Sequence, residues 1–187
     1  MILRGLWRLA KGERAGILDF GAGPENFSAS IAPLIAFPLV GALVVAMQGA
    51  WQLGVISFLS RLTAVLVLPV LTYEFAKLFG REHLWLRTAT VLNWSFWVIP
   101  PILMLAAIAA AGLEVVGLST MGAARVALAI MGLYLLWFRW FALRAGLGLG
   151  AWQALLVVTV STAAIIGLMV LPFMFGVGGP LPGLPSS

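Results

Sequence analysis

The sequence predicts an all-α integral membrane protein, a bundle of five transmembrane helices preceded by an amphipathic helix at the membrane interface. Three observations carry this. Of the 187 residues, 63% are hydrophobic and only 9% are charged, whereas a soluble domain carries about 25% charged residues to cover its water-facing surface. Five apolar runs have about the length, roughly 20 residues, that crosses ~30 Å of hydrocarbon. The remaining charges lie mostly between those runs.

Net charge is +5 and the sequence pI about 10.8. A nucleic-acid partner needs cations aligned on one wet face. Here Lys and Arg punctuate apolar segments, so topology explains them and no nucleic acid is expected. With no cysteine there is no disulfide framework, thiolate metal site or Cys nucleophile. One histidine and six acids leave little for a metal cage.

Residues 1–29 form the expected cytoplasmic interfacial segment. Arg8, Lys11 and Arg14 interrupt residues 1–17 too often for the apolar core of a secretory signal. At 100° per residue, Arg4, Arg8, Lys11 and Arg14 share one face, and Ile2, Leu3, Leu6, Trp7 and Leu9 the other. This pattern suits a helix in the headgroup layer, its basic face toward anionic lipid. A solvated basic lead-in that only sets topology is the plainer alternative. The following DFGAGPENFSAS follows no strand and lacks the Lys of a phosphate-binding loop. It is expected to launch the first span, with Ser28 or Ser30 as N-cap and Pro33 in the first turn.

The five-helix domain is expected over residues 30–178, with spans at about 31–49, 54–76, 88–112, 124–142 and 151–177 and a flexible tail at 179–187. Pro38 should kink the first span. Arg61 and Pro69 interrupt the second, the third runs through Pro100 and Pro101, and Pro172 lies near the end of the fifth. Arg4, Arg8, Lys11 and Arg14 precede span 1; Lys77, Arg81 and Arg87 join spans 2 and 3; Arg139 and Arg144 join spans 4 and 5. The positive-inside rule then predicts a cytoplasmic N-terminus and an external C-terminus.

Ionisable groups within spans cost ~2.5–3.5 kcal/mol at the centre on insertion scales, so each needs a reason. Glu74 near the end of span 2 and Asn93 early in span 3 are expected at similar depth in a helical hairpin. Arg139 or Tyr134 of span 4 could complete a polar cluster with them that braces helices. Arg61 is a candidate intramembrane charge paired with Glu114, Arg125 an interfacial cation, and His83 a solvated turn residue. No H-E-x-x-H, G-x-S-x-G or acidic pair occurs, and no histidine lies within a span for haem. Thr159, Ser161 and Thr162 lack a neighbouring base and read as small polar packing residues. No catalytic residue, cofactor or metal is expected.

The elbow FGREHLWLRTA with the Asn93-Trp94 pair after it, the NFSAS entry to span 1 and the aromatic-Arg stretch LYLLWFRWFALRAGLG resemble the bacterial Yip1-like membrane proteins, particularly small alphaproteobacterial ones. The resemblance covers most of the chain in layout. It implies a five-span fold with a scaffold-like role, and no catalytic residue. Eukaryotic relatives are implied to act in membrane trafficking and to bind small GTPases, through a long cytoplasmic domain that this chain lacks. The expected function is a non-catalytic scaffold or accessory subunit that contacts the lipid bilayer and other membrane proteins, or further copies of itself as a homo-oligomer. Small residues in spans 1, 3 and 5, such as Ala42, Ala46, Ala106 and Ala163, would permit close helix contact. A small oligomeric permease using Arg61, Glu74 or Asn93 is the alternative, and a membrane enzyme on lipid or isoprenoid substrates a more distant one.

Overall fold

The structure, a computed structural model, describes the backbone of residues 2–174 and the side chains of residues 2–170. The expected end of span 5 at 177 and the tail at 179–187 lie outside them. Every regular element among the described residues is helical. Five stretches are long and apolar enough to cross a membrane: Pro24–Met47, Trp51–Leu78, Glu82–Val115, Thr120–Leu147 and Ala151–Val170. The chain is therefore a multi-pass membrane protein.

The N-terminal helix α1 (Ile2–Ala10) is shorter than its sequence pattern suggests. Gly12 takes φ 83, a left-handed conformation that halts the helix, and a 3-10 turn (Arg14–Asp19) folds back against it. Gly5 and Gly16 meet backbone to backbone there, where an added Cβ on Gly16 would stand 2.8 Å from the Gly5 carbonyl. The single helical face expected to carry Arg4, Arg8, Lys11 and Arg14 is thus broken after Arg8.

Helix α2 (Pro24–Met47) starts earlier than expected. Pro24 stands in its first turn, where a missing N–H costs nothing, and Glu25 beside it favours the positive helix end. Ser28 and Ser30 are therefore inside the helix and cap nothing, and Pro33 joins Pro38 as an interior proline. Helix α3 (Trp51–Leu78) contains Pro69. The third span is two helices: α4 (Trp85–Trp94) and α5 (Ile99–Val115), separated by a 3-10 turn (Ser95–Val98). Pro100 and Pro101 open α5 rather than kinking one continuous helix, because a first turn has no hydrogen bond for them to break whereas an interior position forfeits one. Ser119 caps α6 (Thr120–Leu147), its Oγ accepting from the Gly122 N–H at 3.2 Å, and Gly148 at φ 63 ends it. Helix α7 (Ala151–Met174) completes the bundle.

Helix α4 occupies the middle, touching α2, α3 and α6, while α3 also packs on α7 and α7 on α6. After the 3-10 turn the chain moves outward, so α5 runs along α6 and buries no residue fully. The core consequently gathers at one end. Val91, Leu92, Phe138, Leu143, Leu147 and Val157 are buried there with Leu6, Leu9 and Phe20 of the N-terminal hairpin. This basic end carries every Lys and Arg except Arg61 and Arg125. Toward the opposite end most apolar side chains, including Leu43, Leu105, Ile130 and Ile166, face outward.

Small residues are used unevenly. Gly54 of α3 approaches α2 closely, 2.8 Å separating an added Cβ from the Ala42 carbonyl, with Ala46 beside it. Ala106 of α5 and Ala163 of α7 instead border open apolar grooves.

Candidate functional site

The best-built polar arrangement lies at the basic end, around α4. Asn93 is buried, and its Nδ2 donates to Ser30 Oγ of α2 at 2.9 Å. Ser30 in turn donates to the Phe27 carbonyl at 2.6 Å. At the start of α4, the Trp85 indole N–H donates to the Pro69 carbonyl of α3 at 3.0 Å. Its ring lies 5.2 Å from Phe27 and 5.1 Å from Tyr73, so one tryptophan ties α2, α3 and α4 together. Thr88 and Thr90 return their hydroxyls to carbonyls four residues earlier in the chain.

The expected cluster of Glu74, Asn93, Arg139 and Tyr134 does not assemble. Asn93 is committed to Ser30, and Tyr134 Oη donates to the Ala10 carbonyl at 2.8 Å, seating the end of α1 on α6. Glu74 is exposed and Arg139 half-buried; no hydrogen bond or ion pair joins the four among the described residues. The helical positions explain this: α4 turns its Asn93 face to α2, not to the Glu74 face of α3. Arg61 and Glu114 are both exposed and form no ion pair, the Arg61 guanidinium lying near Gly41 instead. Arg125 and His83 are exposed, His83 on the 3-10 turn Glu82–Leu84. Ser161 is buried and bonds its own helix at the Val158 carbonyl.

Asp19 organises a second polar cluster. Arg4 Nη2 meets its Oδ1 at 2.6 Å and Arg8 Nη1 its Oδ2 at 3.3 Å, while Arg8 Nε also bonds Glu13 at 3.0 Å. The hydrogen bond from Arg4, then that from Arg8, holds the Asp19 carboxyl below its ordinary range against the opposing effect of burial. Two of the four cations expected to face lipid are therefore turned to carboxylates, leaving Lys11 and Arg14 exposed. Lys11 Nζ stands 4.9 Å over the Trp7 ring. At the other edge Arg144 stacks 4.7 Å over Trp140, whose indole N–H donates to the Ala151 carbonyl.

Trp85 and Asp19 are organising residues that sequence reasoning passed over, and Ser30 it offered only as a helix N-cap. Pro24 with Glu25 was the signal that moves Ser30 inside a helix. Nothing in the sequence singles out Asp19's partners without the turn at Gly12. No group of three His, Cys, Asp or Glu converges among the described residues. Comparisons with protein families, curated proteins and solved structures find no match to this chain.

Proposed function

We propose that this protein is a non-catalytic scaffold or accessory subunit of a bacterial inner-membrane assembly, Yip1-like in layout, with its N-terminus and basic end in the cytoplasm. One observation carries the reading: the hydrogen-bonded buried polar side chains are spent on the fold itself, between helices at Asn93 and within them elsewhere. Asn93 reaches Ser30, and the buried threonines bond their own helix carbonyls. A permease needs polar groups along a wet path, and Arg61, Glu74 and Asn93 lie apart with separate surroundings. The concentration of cations at one end supports the orientation through the positive-inside rule.

The test is purification from native membranes in mild detergent followed by mass spectrometry. A stoichiometric membrane-protein partner, retained by Glu74→Ala, is the expected result. Solute flux through the purified protein in liposomes, abolished by Glu74→Ala without loss of folding, would refute the scaffold reading.

A further inference from the structure

An apolar groove of about 620 Å³ opens between α1, α5 and α6. Leu6, Trp7 and Ala10 roof it at the basic end, and Ala106, Ala109 and Ala127 form its far part. The alanines explain the space: where α5 leaves the core and runs beside α6, short side chains leave a channel that bulkier ones would close. From the Tyr134–Ala10 hydrogen bond to Ala127 is about 10 Å along α6, and from Val98 to Ala109 about 17 Å along α5, at 1.5 Å per residue. One leaflet of a ~30 Å hydrocarbon layer is about 15 Å deep. The groove thus has the depth of one leaflet and walls as apolar as a lipid tail.

At its roofed end stands an exposed cation. Lys11 is held over Trp7, whose ring lines the groove, and Gly12 lies against Trp137, 3.7 Å separating an added Cβ from that ring. The nearby carboxylates Asp19 and Glu13 are already engaged by Arg4 and Arg8. Among the described residues Lys11 is left as an exposed cation without an acidic partner, at the end of the groove where the apolar walls stop.

We infer that this groove binds one anionic glycerophospholipid, an acyl chain lying between α5 and α6 and its phosphodiester against Lys11. Chain length is matched by the alanine-floored channel and headgroup charge by Lys11, so the site selects among lipids rather than merely touching them. It is independent of whether the protein is a scaffold or a permease.

The full chain is reconstituted in nanodiscs of equal phosphatidylglycerol and phosphatidylcholine with identical acyl chains, and native mass spectrometry counts the lipids retained. The expected result is one retained phosphatidylglycerol. Lys11→Gln lowers the preference over phosphatidylcholine about fivefold, the loss expected for one cation at an anionic surface. Ala127→Phe, which fills the channel, loses the retained lipid. Ala163→Phe, in the separate groove between α6 and α7, leaves it in place. Equal retention of both lipids by the unaltered protein overturns the proposal. So does retention by an Ala127→Phe protein that melts as the parent does, or displacement of phosphatidylglycerol by an equimolar polyprenyl phosphate.

Discussion

Removing the smaller partner of the Asn93–Ser30 bond should cost more than removing the larger one. Asn93 is 4% exposed and Ser30 0%, so neither can turn to solvent when its partner goes. In Ser30→Ala the Asn93 amide keeps a buried N–H with no acceptor, a loss of about 1–3 kcal/mol. In Asn93→Leu a similar volume is kept, and the Ser30 hydroxyl still donates to the Phe27 carbonyl. The loss is then only that of one net hydrogen bond, about 0.5–1.5 kcal/mol. The double variant Ser30→Ala with Asn93→Leu removes both polar groups and should be more stable than Ser30→Ala alone. Equilibrium unfolding in mixed detergent micelles measures all four proteins, and the cycle isolates the pair's coupling, about 0.6 kcal/mol on average for interhelical bonds in membranes. An Asn93→Leu protein less stable than Ser30→Ala would show that Asn93 has a partner of greater weight than Ser30.

Two further outcomes follow from the geometry. Because the Asp19 carboxyl titrates below its unfolded value, the N-terminal hairpin's clamp is fully present above about pH 4, the ordinary Asp range, and is lost as pH falls through the depressed value. Hydrogen exchange of residues 2–20 should be flat in its protection from pH 8 to pH 5 and fall in acid, and Asp19→Asn should be unprotected throughout; protection that declines between pH 8 and 5 contradicts the clamp. At the crossing of α4 and α6, a Cβ on Gly146 collides with the Thr88 side chain, so Gly146→Val should destabilise by about 1–3 kcal/mol through overpacking. Thr88→Ala should restore part of that in a thermal melt.

The spans were legible because bilayer crossing imposes a length and an apolar composition that few other structures need. Their ends were less so: Pro24, Pro100 and Pro101 each mark a helix start, yet Pro100 and Pro101 read equally as an interior kink until the 3-10 turn before them is seen. The burial of Asn93 could be anticipated from its place in an apolar run. Its partner could not, since Ser30 and Glu74 are both within reach of an antiparallel bundle and only the rotation of α4 decides between them. For the basic N-terminal face, periodicity assumed one continuous helix, but one left-handed glycine at position 12 follows its end before the face is complete.

The hydrogen bond from Tyr134 to the Ala10 carbonyl joins residues 124 positions apart. Residues 2–20 thus lack their α6 seat until α6 has emerged, meeting only α4 and the 3-10 turn after it before then. Residues 2–20 are made well before α6, so the N-terminal hairpin completes its docking late. A chain stalled or truncated before α6 would hold this hairpin without its α6 wall, leaving Leu6, Leu9 and Phe20 less covered for the cell's membrane quality control to find.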